Sequence, residues 1–430
     1  MTTALVAFAV MLALSFLGLF IAFSLGIVGV VGFMTYTGLE PALYMIGPTI
    51  YDSFNNYPLS VIPLFILMGN LVSASGLSRE LFRAANAFIG HFRGGLAGAT
   101  IVACGGFSAI SGSSVATTAT MSQIALPEMR AFNYSQRLAA GSVAAGGTLG
   151  IMIPPSIILV IYGIMTETEI GRLFIAGILP GLLALSLYLA AVVAVTAVRP
   201  DLGPAGPRTA WPDRLRALSQ VWSVAVLFAV VIGGIYGGVF TPTEAAGIGA
   251  CGAIYFYLRR SGFDLRGLVR IATDTVVTSA MLFIIIVGAE LFSNLISMTG
   301  MPTMLIDAIQ NAGLTPYTVI VLMLVIYFVM GMFLDSLGMI LLTVPVFYPV
   351  IQFLGFDLIW FGIIVVTVTE ISLITPPIGM NIFIMRSMNK DLPLGTIYRG
   401  VLPFVAADVV RLAILTAFPV IALLLPSMMG

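Results

Sequence analysis

The stretch Gly105–Ser114, "GGFSAISGSS", which runs on into "VATTATMSQIALPEM", sets glycines and serines between apolar flanks in a chain that otherwise reads as lipid-soluble. A bilayer core tolerates irregular backbone only where protein or a water-filled cavity satisfies its polar groups. About a dozen residues lie on each side of the cluster, from Gly95 and to Glu128; at about 1.5 Å per residue neither arm crosses a core roughly 30 Å thick. Arg93 before and Arg130 after place both ends on one side. The segment 95–128 therefore reads as a re-entrant hairpin whose tip, "FSAISGSS", reaches the midplane. Glycine permits the tight turn, and serine hydroxyls with freed carbonyls can replace water around a small ion.

Composition sets the frame for that reading. Of 430 residues 60% are hydrophobic and 8% charged, with a mean hydropathy of +1.11; soluble domains carry roughly 25% charged residues. This is a polytopic membrane protein. Eighteen basic residues balance eighteen acidic ones, so no clustered basic surface points to a nucleic acid. Cys104 and Cys251 sit in apolar runs and read as two small buried core residues, without a disulfide. The first 33 residues lack a charged start, and their apolar run exceeds the roughly 7–15 residues of a signal-peptide core. They read as transmembrane structure retained in the mature protein.

Basic residues accumulate on the cytoplasmic side. Arg79, Arg83 and Arg93; Arg130 and Arg137; Arg199, Arg208, Arg214 and Arg216; Arg259, Arg260, Arg266 and Arg270; and Arg386, Lys390 and Arg399 are all placed inside. Between Ile271 and Met385 there is no Lys or Arg, although six carboxylates occur there. Loops in that interval face outward. Arg172, beside Glu167 and Glu169, is the one basic residue expected outside.

An internal repeat is legible. "NLVSASG" (70–76) returns as "NLISMTG" (294–300), and Ser114, Pro127, Pro154 and Pro155 return as Ser336, Pro349, Pro376 and Pro377, each 222 residues on. Each copy reads as two apolar helices (about 4–35, then 219–258), a third (59–75, 276–297) and an amphipathic connector (77–93, 301–315). A hairpin (95–128, 317–349), a long helix (138–163, 358–385) and a final helix (173–198, 401–425) follow. Five crossings per copy is odd, so the second copy is upside down relative to the first. The expected fold is all-α, with two inverted-topology repeats of five helices plus a re-entrant hairpin each. Such repeats characterise secondary transporters, whose site lies near the midplane where the copies meet.

The second hairpin carries "MGMFLDSLG" (330–338), with Asp335 at its tip. A carboxylate at membrane depth marks an ion or substrate path by default, and is also compatible with a cap on the second arm. Each hairpin is followed by a helix interrupted at Pro-Pro, "GGTLGIMIPPSI" (146–157) and "TEISLITPPIG" (369–379). Proline removes a donor and displaces the carbonyl four residues back. Such breaks offer carbonyls to a cation and positive half-helix ends to an anion. Glu290 and Glu370 read as coupling ligands or as internal hydrogen-bonding groups. Asp408 and Arg411, three apart, should neutralise each other, and His91 in "GHFRGG" reads as a solvated or headgroup-facing residue.

The run from Gly105 to Gly181, with "GVFTPTEAAGIGA" (238–250) and "TEISLITPPIGMNIF" (369–383), resembles the large, DctM-like or SiaM-like membrane subunit of tripartite ATP-independent periplasmic (TRAP) transporters, over essentially the whole chain. The resemblance implies a sodium-driven elevator in the bacterial inner membrane. A transport domain (94–199 and 316–430) slides against a scaffold (1–93 and 200–315). It implies two partners, a small four-helix membrane subunit, expected as a separate chain, and a periplasmic binding protein that delivers an organic acid. Carried over by motif, substrate contacts fall on Ser111, Ser113, Ser114, Ser156, Asp335, Ser336 and Thr375. Sodium, as transported coupling ion, falls on Ser111, Gly112, Ser114, Thr148, Gly150, Pro154, Asp335, Ser372, Thr375 and Gly379. No organic cofactor is implied.

A stand-alone sodium and organic-anion symporter of the same hairpin architecture is the nearest rival on physical grounds. An ATP-driven pump is disfavoured, because Lys390 is the only lysine and no Gly-rich loop ends in Gly-Lys-Ser/Thr. An enzyme is disfavoured too. A nucleophilic serine in "GFSAISGSS" needs a general base, and the only histidine, His91, sits too near the cytoplasmic surface; an aspartyl site needs two facing carboxylates.

Overall fold

A computed structural model describes residues 2–429, in which twenty-one α-helices and no strand occur. The repeat seen in sequence is a repeat of elements. Connector helices Leu77–Ile89 and Met301–Asn311 both start from a left-handed glycine, Gly76 (φ 79°) and Gly300 (φ 65°), which explains the echo at 70–76 and 294–300. The first hairpin has arms Gly95–Ser111 and Ser114–Ala131, the second Pro316–Gly331 and Ser336–Phe353. The first broken helix comprises Gln136–Thr148 and Ile157–Met165, the second Leu358–Leu373 and Met380–Met388; both Pro-Pro bonds are cis.

Two contacts show that the copies run in opposite directions. Tyr162, near the end of the first broken helix, donates to the carbonyl of Leu358 at the start of the second (2.6 Å). Asn381, in the last half of the second, donates to the carbonyl of Ala144 in the first half of the first (3.2 Å). Each hairpin also closes at its base. The N–H of Leu96 reaches the Tyr134 hydroxyl (3.1 Å), and the rings of Tyr317 and Phe356 lie 5.6 Å apart.

The basic clusters come together on one face, as charge placement requires. Arg260 pairs with Glu80 (2.6 Å) and reaches the carbonyl of Gln220, Arg130 faces Asp391 (3.9 Å), and the backbone of Gly94 bonds that of Gly203. Arg172 instead pairs with Glu169 (3.1 Å), in a turn whose neighbours Ile235 and Pro242 belong to the other end of the bundle.

Two close helix packings stand out. In one, Ile21–Thr37 lies along Leu265–Met298, and its symmetry mate Pro242–Ser261 lies along Val61–Ala74. Close approach there needs small residues, since lipid-soluble helices associate by packing rather than by the hydrophobic effect: a Cβ on Gly29 would stand 2.6 Å from the backbone of Leu291. In the other, Gln136–Thr148 crosses Leu394–Ala417 with Gly141 and Gly400 backbone to backbone.

Several boundaries differ from expectation, each for a local reason. The hairpin arms are 17, 18, 16 and 18 residues, longer than a dozen, because "GGFSAIS" is itself helical and the turn narrows to Gly112 and Ser113. Ser336–Phe353 is thus long enough by itself to cross a membrane. The third helix of copy two is one continuous 34-residue helix, Leu265–Met298, whereas copy one splits into Leu39–Phe54 and Val61–Ala74 at "NNYP", where Pro58 lacks the N–H a continuous helix needs. Leu39–Phe54 and the surface helix Trp211–Gln220 were not expected, although both are amphipathic. The final segment stops at Ala417 and restarts at Val420, after Pro419. Five helices, or six with one bent pair, are long and apolar enough to cross; the ten crossings of the sequence reading include broken and short helices that do not pass singly. Cys104 is buried, but Cys251 is exposed on the outer side of its helix.

Candidate functional site

The two hairpin tips and the two helix breaks meet around one cavity of about 270 Å³. Its wall includes Gly112, Ser113, Ser114 and Val115 from the first tip, Asp335, Ser336 and Leu337 from the second, Ile151, Ile157 and Ile158 from the first break, and Leu373 and Met380 from the second. Thr278 and Leu282, halfway along Leu265–Met298, complete the wall from that helix. No basic side chain lines it.

Four helix N-termini point at this space: those of Ser114–Ala131, Ile157–Met165, Ser336–Phe353 and Met380–Met388. Each leaves amide donors unpaired within its first turn and carries a partial positive charge. Three are capped by side chains, Ser113 to the N–H of Ala116 (3.3 Å), Ser156 to that of Leu159 (3.3 Å) and Asp335 to that of Leu337 (3.3 Å); Met380–Met388 starts from left-handed Gly379 with no side-chain cap. Asp335 therefore stands where the first copy has Ser113. The capping role expected of it is present, and its carboxylate still reaches the cavity.

Backbone oxygens gather beside the same tips. A Cβ on Gly112 (φ 59°) would meet the Pro155 carbonyl at 2.6 Å, and one on Gly150 the Ser113 carbonyl at 2.5 Å. A Cβ on Gly379 (φ 61°) would lie 3.2 Å from the Thr375 carbonyl and 3.3 Å from that of Leu373. Only glycine lets the chain pass so close to these carbonyls; that of Ser113 already accepts from the N–H (3.1 Å) and hydroxyl (2.8 Å) of Thr117, so those of Pro155, Leu373 and Thr375 are the ones that can turn toward a small cation. The arrangement thus offers N–H groups to an anion and C=O groups to a cation within one small volume.

The expected site residues divide into two sets. Gly112, Ser113, Ser114, Asp335 and Ser336 line the cavity. Ser111 is buried behind it with its hydroxyl on Thr117 (3.0 Å), and Ser156 is occupied by the carbonyl of Ile151 (2.6 Å). Ser372 and Thr375 bond back to Thr369 (2.6 Å) and Ile371 (2.5 Å), within their own helix end. Thr148 turns away from the cavity to the hydroxyl of Tyr188 (3.0 Å), while Pro154 and Gly150 are buried in the break.

Thr148 opens a polar chain that sequence spacing half reveals. The Tyr188 hydroxyl donates to Asp408 (2.6 Å), Asp408 pairs with Arg411 (3.0 Å), and Arg411 pairs with Glu370 in the last turn before the second break. The whole chain is fully buried. The expected neutralisation of Asp408 by Arg411 is present, with Glu370 as a third member. Nothing in the sequence marks Tyr188, a lone tyrosine on an apolar helix, or Thr278 and Leu282. Glu290 is outside the site, accepting from Ser53 (2.5 Å), and His91 lies half-buried against the ring of Phe92.

Residues 8–421 match the family model described as "Tripartite ATP-independent periplasmic transporter, DctM component". The chain is 37% identical to the C4-dicarboxylate TRAP transporter large permease protein DctM of Pseudomonas aeruginosa, covering 89% of each. It is 30% identical to the sialic acid large permease SiaM of Vibrio cholerae (97% of each) and 33% to the ectoine large permease TeaC of Halomonas elongata (99% of each). The crystal structure of the YdaH transporter of Alcanivorax borkumensis shares the fold at 15% identity, with a TM-score of 0.59 over 89% of both chains. The chain belongs to the DctM component family of tripartite ATP-independent periplasmic transporters: it is a large permease subunit, a transporter and not an enzyme.

Proposed function

We propose that this subunit imports an organic acid across the bacterial inner membrane together with sodium, by an elevator movement of the hairpins and broken helices (94–199 and 316–430) against the remaining helices. One observation carries the reading. Four helix N-termini, with the backbone carbonyls packed beside Gly112 and Gly379 at the tips and breaks, surround one cavity whose wall holds Asp335 and no basic side chain. A carboxylate can be met there by N–H and hydroxyl groups. An anion beside Asp335 is tolerated only if cations share the site, which makes coupling a consequence of charge. Sodium at the tips would order them and offset the cost of carrying polar groups past an apolar surface. Relatives named for C4-dicarboxylates and sialic acid, both carboxylates, support the substrate class.

The family supports two partners, a periplasmic substrate-binding protein and a small membrane subunit. The name of one relative, the isethionate permease DctMQ of Oleidesulfovibrio alaskensis, joins two components.

The test is uptake in proteoliposomes that hold this chain and its small subunit, with a panel of labelled organic acids, an imposed sodium gradient and the binding protein present or omitted. Uptake that needs both sodium and the binding protein is expected. Sodium-driven uptake indifferent to the binding protein would identify a stand-alone symporter instead. Asp335→Ala and Ser114→Ala should lose sodium dependence in folded protein; normal dependence in both would remove these residues from the site.

A further inference from the structure

A second cavity, of about 420 Å³, opens on the basic face between the start of Gln136–Thr148, the end of Ile170–Val198 and the start of Leu394–Ala417. Three arginines line it, Arg137, Arg199 and Arg399, one from each element. All three are exposed, and none makes an ion pair or a side-chain hydrogen bond with a described residue. Elsewhere on this face Arg260 has Glu80 and Arg130 has Asp391. The topological preference for positive charge inside the cell places arginines on this face; it does not require three of them to converge without a carboxylate.

Helix ends sharpen the imbalance. Arg137 lies in the first turn of its helix, where the macrodipole is already positive and a cation is disfavoured. Arg199 follows the last turn of its own helix, where a cation is favoured. The rest of the wall is apolar, with Val198, Leu202 and Pro403 among it, and Val198 is 80% exposed. The groove therefore joins a strongly positive head to an apolar flank.

We propose that this groove binds an anionic phospholipid of the cytoplasmic leaflet, its phosphate held by Arg137, Arg199 and Arg399 and its acyl chain along the apolar wall. Basic pockets between transmembrane helices on this side suit phosphate headgroups, and guanidinium forks match phosphate oxygens. The groove spans the crossing at which Gly141 and Gly400 pack backbone to backbone, so the bound lipid clamps the first broken helix to the final helix of the second copy. The inference stands on the fold and on the arginines, and does not depend on the sodium reading.

The experiment uses the full chain in a neutral detergent, followed by thermal unfolding and native mass spectrometry. The probes are phosphatidylglycerol, phosphatidylcholine and, as a soluble source of the same chemistry, inorganic phosphate and glycerol phosphate. Phosphatidylglycerol should raise the unfolding temperature by a few degrees and remain bound in the spectrometer, and phosphatidylcholine and the soluble anions should not. The variant Arg137→Gln/Arg199→Gln/Arg399→Gln should lose both effects. A control with the same change in net charge, Arg208→Gln/Arg266→Gln/Arg270→Gln, should keep them. Because all six side chains are exposed, both variants should fold; the single variants Arg137→Gln and Arg399→Gln give graded losses that read the same point. Stabilisation that survives in the groove variant, vanishes equally in the control, or is reproduced by the soluble phosphates would overturn the proposal, as would the absence of any lipid effect.

Discussion

Arg411 is the residue on which most depends. Its guanidinium serves two buried carboxylates, Glu370 and Asp408, and among the described residues its Nε and Nη1 and the Glu370 Oε1 have no hydrogen-bond partner. Removing one partner of a buried ion pair leaves an uncompensated charge, at a cost of about 3–5 kcal/mol. We expect Arg411→Ala to lose at least that much stability, seen as a fall in unfolding temperature or in folded yield. Tyr188→Phe removes only the hydroxyl between Thr148 and Asp408, and should cost about 1–3 kcal/mol. An Arg411→Ala protein as stable as the parent would show that the triad is solvated. The capping residues differ in kind. Ser156→Ala should cost about 0.5–2 kcal/mol through the loss of an N-cap, whereas Asp335 belongs to the cavity as well as to its helix, so its replacement should act on transport beyond its effect on stability.

At the scale of elements, glycines decide which helices can touch, and their tolerance depends on what a Cβ would meet. At Gly141 and Gly400 the obstacle is backbone, of Gly400 and of Arg137 respectively, which cannot step aside. At Gly32 the obstacle is the end of the Leu295 side chain, which can adopt another rotamer. Overpacking costs about 1–3 kcal/mol where neighbours cannot yield. We expect Gly141→Ala and Gly400→Ala to reduce thermal stability clearly and Gly32→Ala to leave it nearly unchanged. Equal effects at all three positions would mean that the two crossings are equally soft. The same logic bears on Gly112 and Gly379, where a positive φ and converging carbonyls both require glycine.

For the whole molecule the governing fact is inversion. The base of the first hairpin lies on the face that carries the arginines, and the base of the second lies on the other. With Cys104 and Cys251 replaced, a cysteine at Gln136 and one at Asn311, both exposed, should react with a membrane-impermeant thiol reagent from opposite sides of the bilayer. Reaction of both from the same side would refute the inverted arrangement.

Much of this was legible in the chain, because the signals are local or repeat at a fixed distance. Composition alone required a membrane protein. The shift of 222 residues, the Pro-Pro pairs and the placement of arginine specified two inverted copies with a hairpin and a broken helix each, since proline and glycine act on their own backbone and basic residues obey the membrane's field. The tips were found for the same reason, as polar residues where lipid allows none without a partner. What only the tertiary structure decided concerns elements far apart in sequence. Spacing showed Asp408 beside Arg411, but Glu370 and Tyr188 join them from two other helices. Thr148, Ser156, Ser372 and Thr375 sit in the right breaks, yet their hydroxyls bond locally and leave the cavity to helix ends and carbonyls. The arginines of the groove read singly as topology, and become a site only where three helix ends meet. A sequence records which polar groups are present; which of them remain free to meet a ligand depends on the partners that packing brings within reach.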